Sequence, residues 1–200
     1  MSIDEITKKV DSLCILNESS NIIPSNLQTK DWRKNSSWYD NGKHNECEKY
    51  QRNLIEKITK NKCNKTNLRF NLLTYELLTL SNPMKNNNGF EFSEDFDGFI
   101  DFCDNKYYFN LKMVCDDGGA QTRTLREVYH FINSQLNNLI KYDVKDVYYV
   151  NILDGNTSHK NMSKFNYLLN KIEFIDIKKY IFIGDMFQFN NWWNSIYSNK

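Results

Sequence analysis

Between Phe96 and Val114 the polar residues are of types that can do chemistry, and they recur at a fixed spacing. In a first run, Phe96, Gly98, Ile100 and Phe102 alternate with positions that include Asp97 and Asp101. In a second, Tyr107, Phe109, Leu111 and Met113 alternate with positions that include Asn110 and Lys112. A period of two is that of a strand with one apolar face. Asp104-Asn105 lies between the runs, and both residue types tolerate positive φ, so a hairpin is expected around that dipeptide. The register that follows pairs Cys103 with Lys106, Asp101 with Tyr108, Phe99 with Asn110 and Asp97 with Lys112. It gathers Asp97, Asp101, Asn110 and Lys112 on one face.

An acid and a lysine on one sheet face form either a cross-strand ion pair or a site. If the face is half-covered, carboxylates beside an amide oxygen suit a hard divalent cation such as Mg²⁺, which takes oxygen ligands. A lysine next to that ion stabilises a developing phosphorane or helps to deprotonate a water.

The connection that follows, CDDGGAQTRTLRE, carries Gly118 and Gly119, then Gln121, Arg123 and Arg126. Two glycines permit a sharp turn or a close approach of backbone to phosphate. The loop has neither the Gly-Lys-Ser/Thr ending of a Walker A loop nor the Gly-x-Gly-x-x-Gly dinucleotide pattern. Arginines near a helix N-terminus either face solvent or grip an anion, phosphate or guanine in bidentate fashion. Thr124-x-x-Glu127 matches a capping box. Glu127 is therefore open to two readings, as a helix cap and as a metal ligand.

At this point the sequence resembles the PD-(D/E)xK nuclease superfamily, and within it type II restriction endonucleases of the branch that cuts CCGG-like sites. Asp97-Gly98 is similar to the family's first element and Asn110-Leu111-Lys112 to its second, with Asn in place of the acid. The resemblance implies a Mg²⁺-dependent hydrolysis of double-stranded DNA, with Mn²⁺ able to substitute. It implies Asp97, Asn110, Lys112 and Glu127 as catalytic residues, and Asp97, Asn110 and Asp101 as metal ligands. The acid that Asn110 lacks would come from Glu127, from Asp101, or from Glu76 ahead of the hairpin. Gln121, Arg123, Arg126, Gly118 and Gly119 would touch DNA. A homodimer on a symmetric site and a cognate DNA methyltransferase as genetic partner go with the same resemblance. Two further readings stay open: a structure-specific repair or recombination nuclease, and an inactive DNA-binding module on the same fold.

The elements that must hold these residues follow from periodicity. Helices are expected at 3–16, 46–60, about 67–80 with Thr66 as cap, Leu125 to Lys141, and Met162 to Ile172. Strands are expected at 146–153 and 180–183. Residues 17–45 read as a long loop in which Trp32, Trp38 and Tyr39 pin the chain or meet a ligand. SNPMKNNNG, residues 81–89, reads as a turn, and GFEF, Gly89 to Phe92, is the candidate for a first strand. The tail with Trp192-Trp193 packs back on the domain or stacks on a base. The expected class is α/β (α+β): a mixed β-sheet flanked by helices, with the family's αβββαβ core. All 200 residues form one domain, 1–65 a helical N-terminal extension and 66–200 the nuclease-like core.

Composition sets outer limits. The net charge of +1 excludes a chain basic along its whole length, and binding to nucleic acid then requires a local basic surface. No apolar run approaches the roughly 20 residues of a membrane span. Five scattered cysteines without a Cys-x-x-Cys pair argue against structural zinc and a disulfide framework, and for reduced thiols in the cytoplasm.

Overall fold

The computed structural model describes residues 22–40, 42–43, 45–66, 68–79, 94–116 and 118–197. The expected first helix at 3–16, the 81–89 turn and the GFEF strand lie outside the described residues.

The helices are α1 (Lys30–Asn35), α2 (Glu46–Thr59), α3 (Gly119–Tyr142), α4 (Asn156–Leu169) and α5 (Met186–Tyr197). The strands are β1 (Leu68–Phe70), β2 (Leu77–Thr79), β3 (Glu94–Asp95), β4 (Gly98–Phe102), β5 (Asn105–Met113), β6 (Val147–Asp154) and β7 (Ile181–Gly184). The central sheet has the order β4-β5-β6-β7. β4 and β5 are antiparallel, while β5, β6 and β7 run parallel to one another. A small sheet, β2-β1-β3, lies beside it. The fold is thus mixed α+β, with a mixed sheet flanked by helices.

Both faces of the central sheet are covered, which explains why Tyr107 to Leu111 are buried without interruption in β5. On one face, Leu125, Val128, Ile132 and Leu136 of α3 and Phe165 and Leu168 of α4 pack against Tyr108, Tyr149 and Leu153. On the other, Leu54 and Ile55 of α2 and Phe189 and Trp193 of α5 pack against Ile100, Tyr107, Phe109, Val150 and Ile152. The aromatic tail is therefore core: Trp193 is buried, and Trp192 packs against Phe182 and Phe189. In the N-terminal polar stretch Trp38 stacks on Tyr50 of α2, with ring centroids 4.3 Å apart, and α1 turns a part of the expected loop into helix.

Three local expectations are corrected. The leucine-rich run expected as a helix over 67–80 is, over its described residues 68–79, the hairpin β1–β2. Thr66 Oγ1 accepts from Leu68 N–H, and Asn71 Oδ1 accepts from Leu73 and Thr74 N–H, so polar side chains fold the chain back where a helix would have continued. The turn between β4 and β5 is Cys103-Asp104, both with positive φ (52° and 61°), one residue earlier than expected. The ladder then pairs Gly98 with Phe109, Phe99 with Tyr108 and Asp101 with Lys106. This is a two-residue shift. It keeps every side chain on the same face, so the apolar pattern could not distinguish the two registers. The observed one stacks Phe99 on Tyr108, ring centroids 5.1 Å apart. Finally, α3 starts at Gly119, not Leu125, and α4 starts at Asn156, not Met162.

No helix among the described residues is long and apolar enough to cross a membrane. Cys47, Cys63, Cys103 and Cys115 are free thiols.

Candidate active site

Asp97 directly precedes β4. Its backbone N–H donates to Phe109 O at 2.8 Å, and its carbonyl accepts from Arg52 Nη1 of α2 at 3.0 Å, which anchors the residue from both sides. Its carboxylate turns toward β5: Oδ2 accepts from Leu111 N–H at 2.8 Å and from Lys112 Nζ at 3.3 Å. The two side chains are 15% and 26% exposed, so the pair sits at the rim of the core and is reachable from solvent. Gln51 of α2 donates to the Lys112 carbonyl at 3.3 Å and to Asp154 Oδ2 at 2.8 Å, tying the lysine's backbone to the end of β6.

Around this pair stand acids that the hairpin pattern did not reveal. Glu48 of α2 is half-buried. Burial, then the charge of Asp97, raises its carboxyl above the usual range, while Lys112 and Arg52 pull it down. Glu94 of β3 is also raised, first by burial. Lys112 opposes that shift, and Glu127 and Asp97 add to it. Asp97, Glu48, Glu94 and Glu127 thus share one electrostatic neighbourhood with Lys112, from α2, β3, the start of β4 and α3. Among the described residues, no three His, Cys, Asp or Glu side chains stand close enough together to close around one ion. Mg²⁺ does not require such a cage, since it keeps several waters and is held through one or two carboxylates.

Asn110 is 1% exposed. Its Nδ2 donates to Asn151 Oδ1 at 3.0 Å, and Asn151 exchanges bonds with Gln135 of α3 at 2.8 and 3.2 Å. Its own Oδ1 is buried with no hydrogen-bond partner among the described residues. An orphaned buried acceptor is costly, so that oxygen suits a water or a cation.

The other residues singled out from the sequence separate. Asp101 is exposed beside the turn, opposite Lys106, and does not join the pair. Glu76 is exposed between β1 and β2, so the expected helix that was to present it does not exist. Glu48 of α2 is an acid on a preceding helix that does come near the pair. Thr124 Oγ1 donates to Ala120 O, four residues back within α3, and Glu127 lies well inside the helix, so the capping box is not formed. Gly118 has extended backbone (φ 178°), and a Cβ at Gly119 would meet nothing within 4 Å. Neither position requires glycine. The conformation that does is at Gly155 after β6, with φ 96° and Val114 O only 2.2 Å from where a Cβ would stand. Arg123 and Arg126 are exposed in the first turns of α3, a helix whose first turn contains no acid, and Gln121 is half-buried there.

Sequence reasoning missed Glu48 because nothing in one helix's periodicity shows which acid faces a distant hairpin. It missed Asp154 because a carboxylate ending a strand reads as loop. Asp154 is fully buried, accepts from Gln51 and from Met186 N–H, and has its carboxyl pushed up to about 6 by burial.

No family model matches the chain, and no curated protein or solved structure matches it either.

Proposed function

We propose that the protein is a Mg²⁺-dependent DNA endonuclease, of the type II restriction kind, that hydrolyses phosphodiester bonds in double-stranded DNA at a short G/C-containing site. The observation that carries this reading is the Asp97–Lys112 pair: Oδ2 and Nζ lie 3.3 Å apart at the open end of a hairpin, among further acids. Support also comes from the order α2, β4, β5, α3, β6, which gives αββαβ, one strand short of the αβββαβ core of the PD-(D/E)xK superfamily; α2 takes the part first given to 67–80, and β1, β2 and β3 form a separate sheet.

The residues fit a hard cation by the chemistry of their donors. Asp97, whose Oδ1 has no donor among the described residues, would hold it together with Glu48, Glu94 or Glu127, and the unpartnered Asn110 Oδ1 adds a neutral oxygen. When bound, the ion supplies a polarised phosphate and a water of lowered pKa. Lys112 carries the positive charge that steadies the attacking water and the charge building on the phosphate. Leu111 N–H fixes the orientation of Asp97. Arg123 and Arg126, with Gln121, offer donors to phosphate or to guanine edges.

The test is digestion of a mixed-sequence plasmid in Mg²⁺. Discrete bands that vanish in Lys112→Ala support the reading, and unchanged cleavage in that variant refutes the site. The neutral, buried Asn110 favours one other reading, a DNA-binding module that does not cut. It predicts salt-dependent binding without cleavage in Mg²⁺ or Mn²⁺. A homodimer and a companion DNA methyltransferase belong to the restriction reading, and sedimentation with cognate DNA tests the first.

A further inference from the structure

A cavity of about 580 Å³ lies between α3 and α4. Its walls are Leu125, Arg126 and Tyr129 from α3 and Lys164, Phe165 and Tyr167 from α4, with Thr122, Asn161 and Ser163 as further polar lining. The size falls within the roughly 300–1,000 Å³ usual for small-ligand sites.

Its chemistry is lopsided. The lining contains two cations and no carboxylate among the described residues. Lys164 Nζ is held by Asn161 Oδ1 at 2.6 Å, which orients it without neutralising it. Arg126 is exposed and has no ion pair among the described residues. The aromatic side is equally marked: Phe165 is buried, Tyr129 packs on it with ring centroids 6.3 Å apart, and Tyr167 leaves 68% of its surface exposed. Apolar rings beside uncompensated positive charge complement a ligand that is flat at one end and anionic at the other. An acidic peptide would use the charges and leave the rings unused. A neutral apolar ligand would do the reverse.

We propose that this cavity binds a nucleoside 5′-phosphate, its base against the Tyr129 and Tyr167 rings and its phosphate on Arg126 and Lys164. Ring stacking of this kind tolerates any base, and the hydroxyl and amide groups of Thr122, Asn161 and Ser163 are available to the sugar and the base edge. The ligand is either a free nucleotide or one nucleotide of a polynucleotide. The inference uses neither Asp97 nor Lys112 and shares with the cleavage reading only Arg126, there given to DNA.

The experiment is photolabelling of the full chain with 8-azidoadenosine 5′-monophosphate, with the modified peptides mapped by mass spectrometry. Saturable labelling within residues 122–129 or 161–167 is expected. Adenosine 5′-monophosphate should compete, and adenosine at the same concentration should not. Lys164→Glu should weaken labelling about tenfold, the scale of one lost charge-assisted contact, and Tyr167→Ala should also weaken it. Both side chains are on the surface of α4, and circular dichroism checks that the variants are folded. Labelling elsewhere, competition by adenosine equal to that of its phosphate, or full labelling of Lys164→Glu overturns the proposal. Competition by oligodeoxyadenylate at lower nucleotide concentration identifies a polynucleotide as the source; competition by the mononucleotide alone identifies a free ligand. The same labelling in Lys112→Ala without Mg²⁺ separates this result from any outcome of the cleavage assay.

Discussion

Asp97 Oδ2 and Lys112 Nζ meet at 3.3 Å although the two residues are not opposite one another. The β4–β5 ladder ends where Gly98 pairs with Phe109, and Asp97, at the bend just before it, has its N–H on Phe109 O and its carboxylate on Leu111 N–H, within reach of Lys112. The backbone N–H of Leu111 holds the carboxylate one residue from Lys112, which is what brings the two side chains together.

Lys112→Ala is expected to lower Mg²⁺-dependent DNA cleavage by about a hundredfold or more, the usual scale for one lost charge-stabilising group. The fold should persist. A partly exposed ion pair is worth about 1 kcal/mol or less, so thermal unfolding should shift by only a few degrees. A cleavage-competent Lys112→Ala protein would remove Lys112 from the site.

Glu48→Gln tests whether α2 supplies the acid that Asn110 lacks. The concentration of Mg²⁺ giving half-maximal cleavage should rise about tenfold, while Asp101→Asn leaves it unchanged. Because a ligand carboxyl must be ionised and burial raises that of Glu48, wild-type cleavage should fall as the pH drops through the raised carboxyl range. Identical Mg²⁺ curves for wild type and Glu48→Gln would exclude this role.

Asp154 makes stability pH-dependent with a definite sign. Its carboxyl is pushed up to about 6 in the folded chain, from an ordinary value of 3.8. The folded state therefore holds the proton more tightly than the unfolded one. The contribution is fully present below the ordinary value and is lost as the pH rises through about 6, on the order of 3 kcal/mol in all. Urea unfolding between pH 4 and 7 should show this decline, and Asp154→Asn should flatten it. The Gln51 Oε1, buried without a partner, can accept from the new amide once the Gln51 side chain turns over. A slope unchanged in Asp154→Asn would assign the decline to another group.

Two glycine substitutions should differ in sign. Gly155→Ala forces a Cβ against Val114 O at positive φ and should destabilise by more than about 1 kcal/mol. Gly119→Ala adds a methyl group in open space at the start of α3 and should be neutral or stabilising by up to about 1 kcal/mol. Chemical denaturation of the two variants decides.

Much of this architecture can be read from the sequence by itself. Alternation from Phe96 to Val114 identifies the β4–β5 hairpin, because side-chain direction in a strand depends only on parity, and the hairpin brings Asp97 to the strand that carries Lys112. The apolar spacing of Tyr50, Leu54, Ile55 and Ile58 identifies α2, and that of Leu125 to Leu139 identifies the body of α3. The tertiary structure decided the rest. It turned 68–79 into a hairpin, since Asn71 and the Phe70–Phe96–Phe131 contacts outweigh the helix propensity of leucine. It chose between two registers of equal parity through the pairing of Phe99 with Tyr108. It brought Glu48 and Glu94 to Lys112 and moved Asp101 and Glu76 away, because which acids converge depends on how separate elements pack, and no local spacing records that.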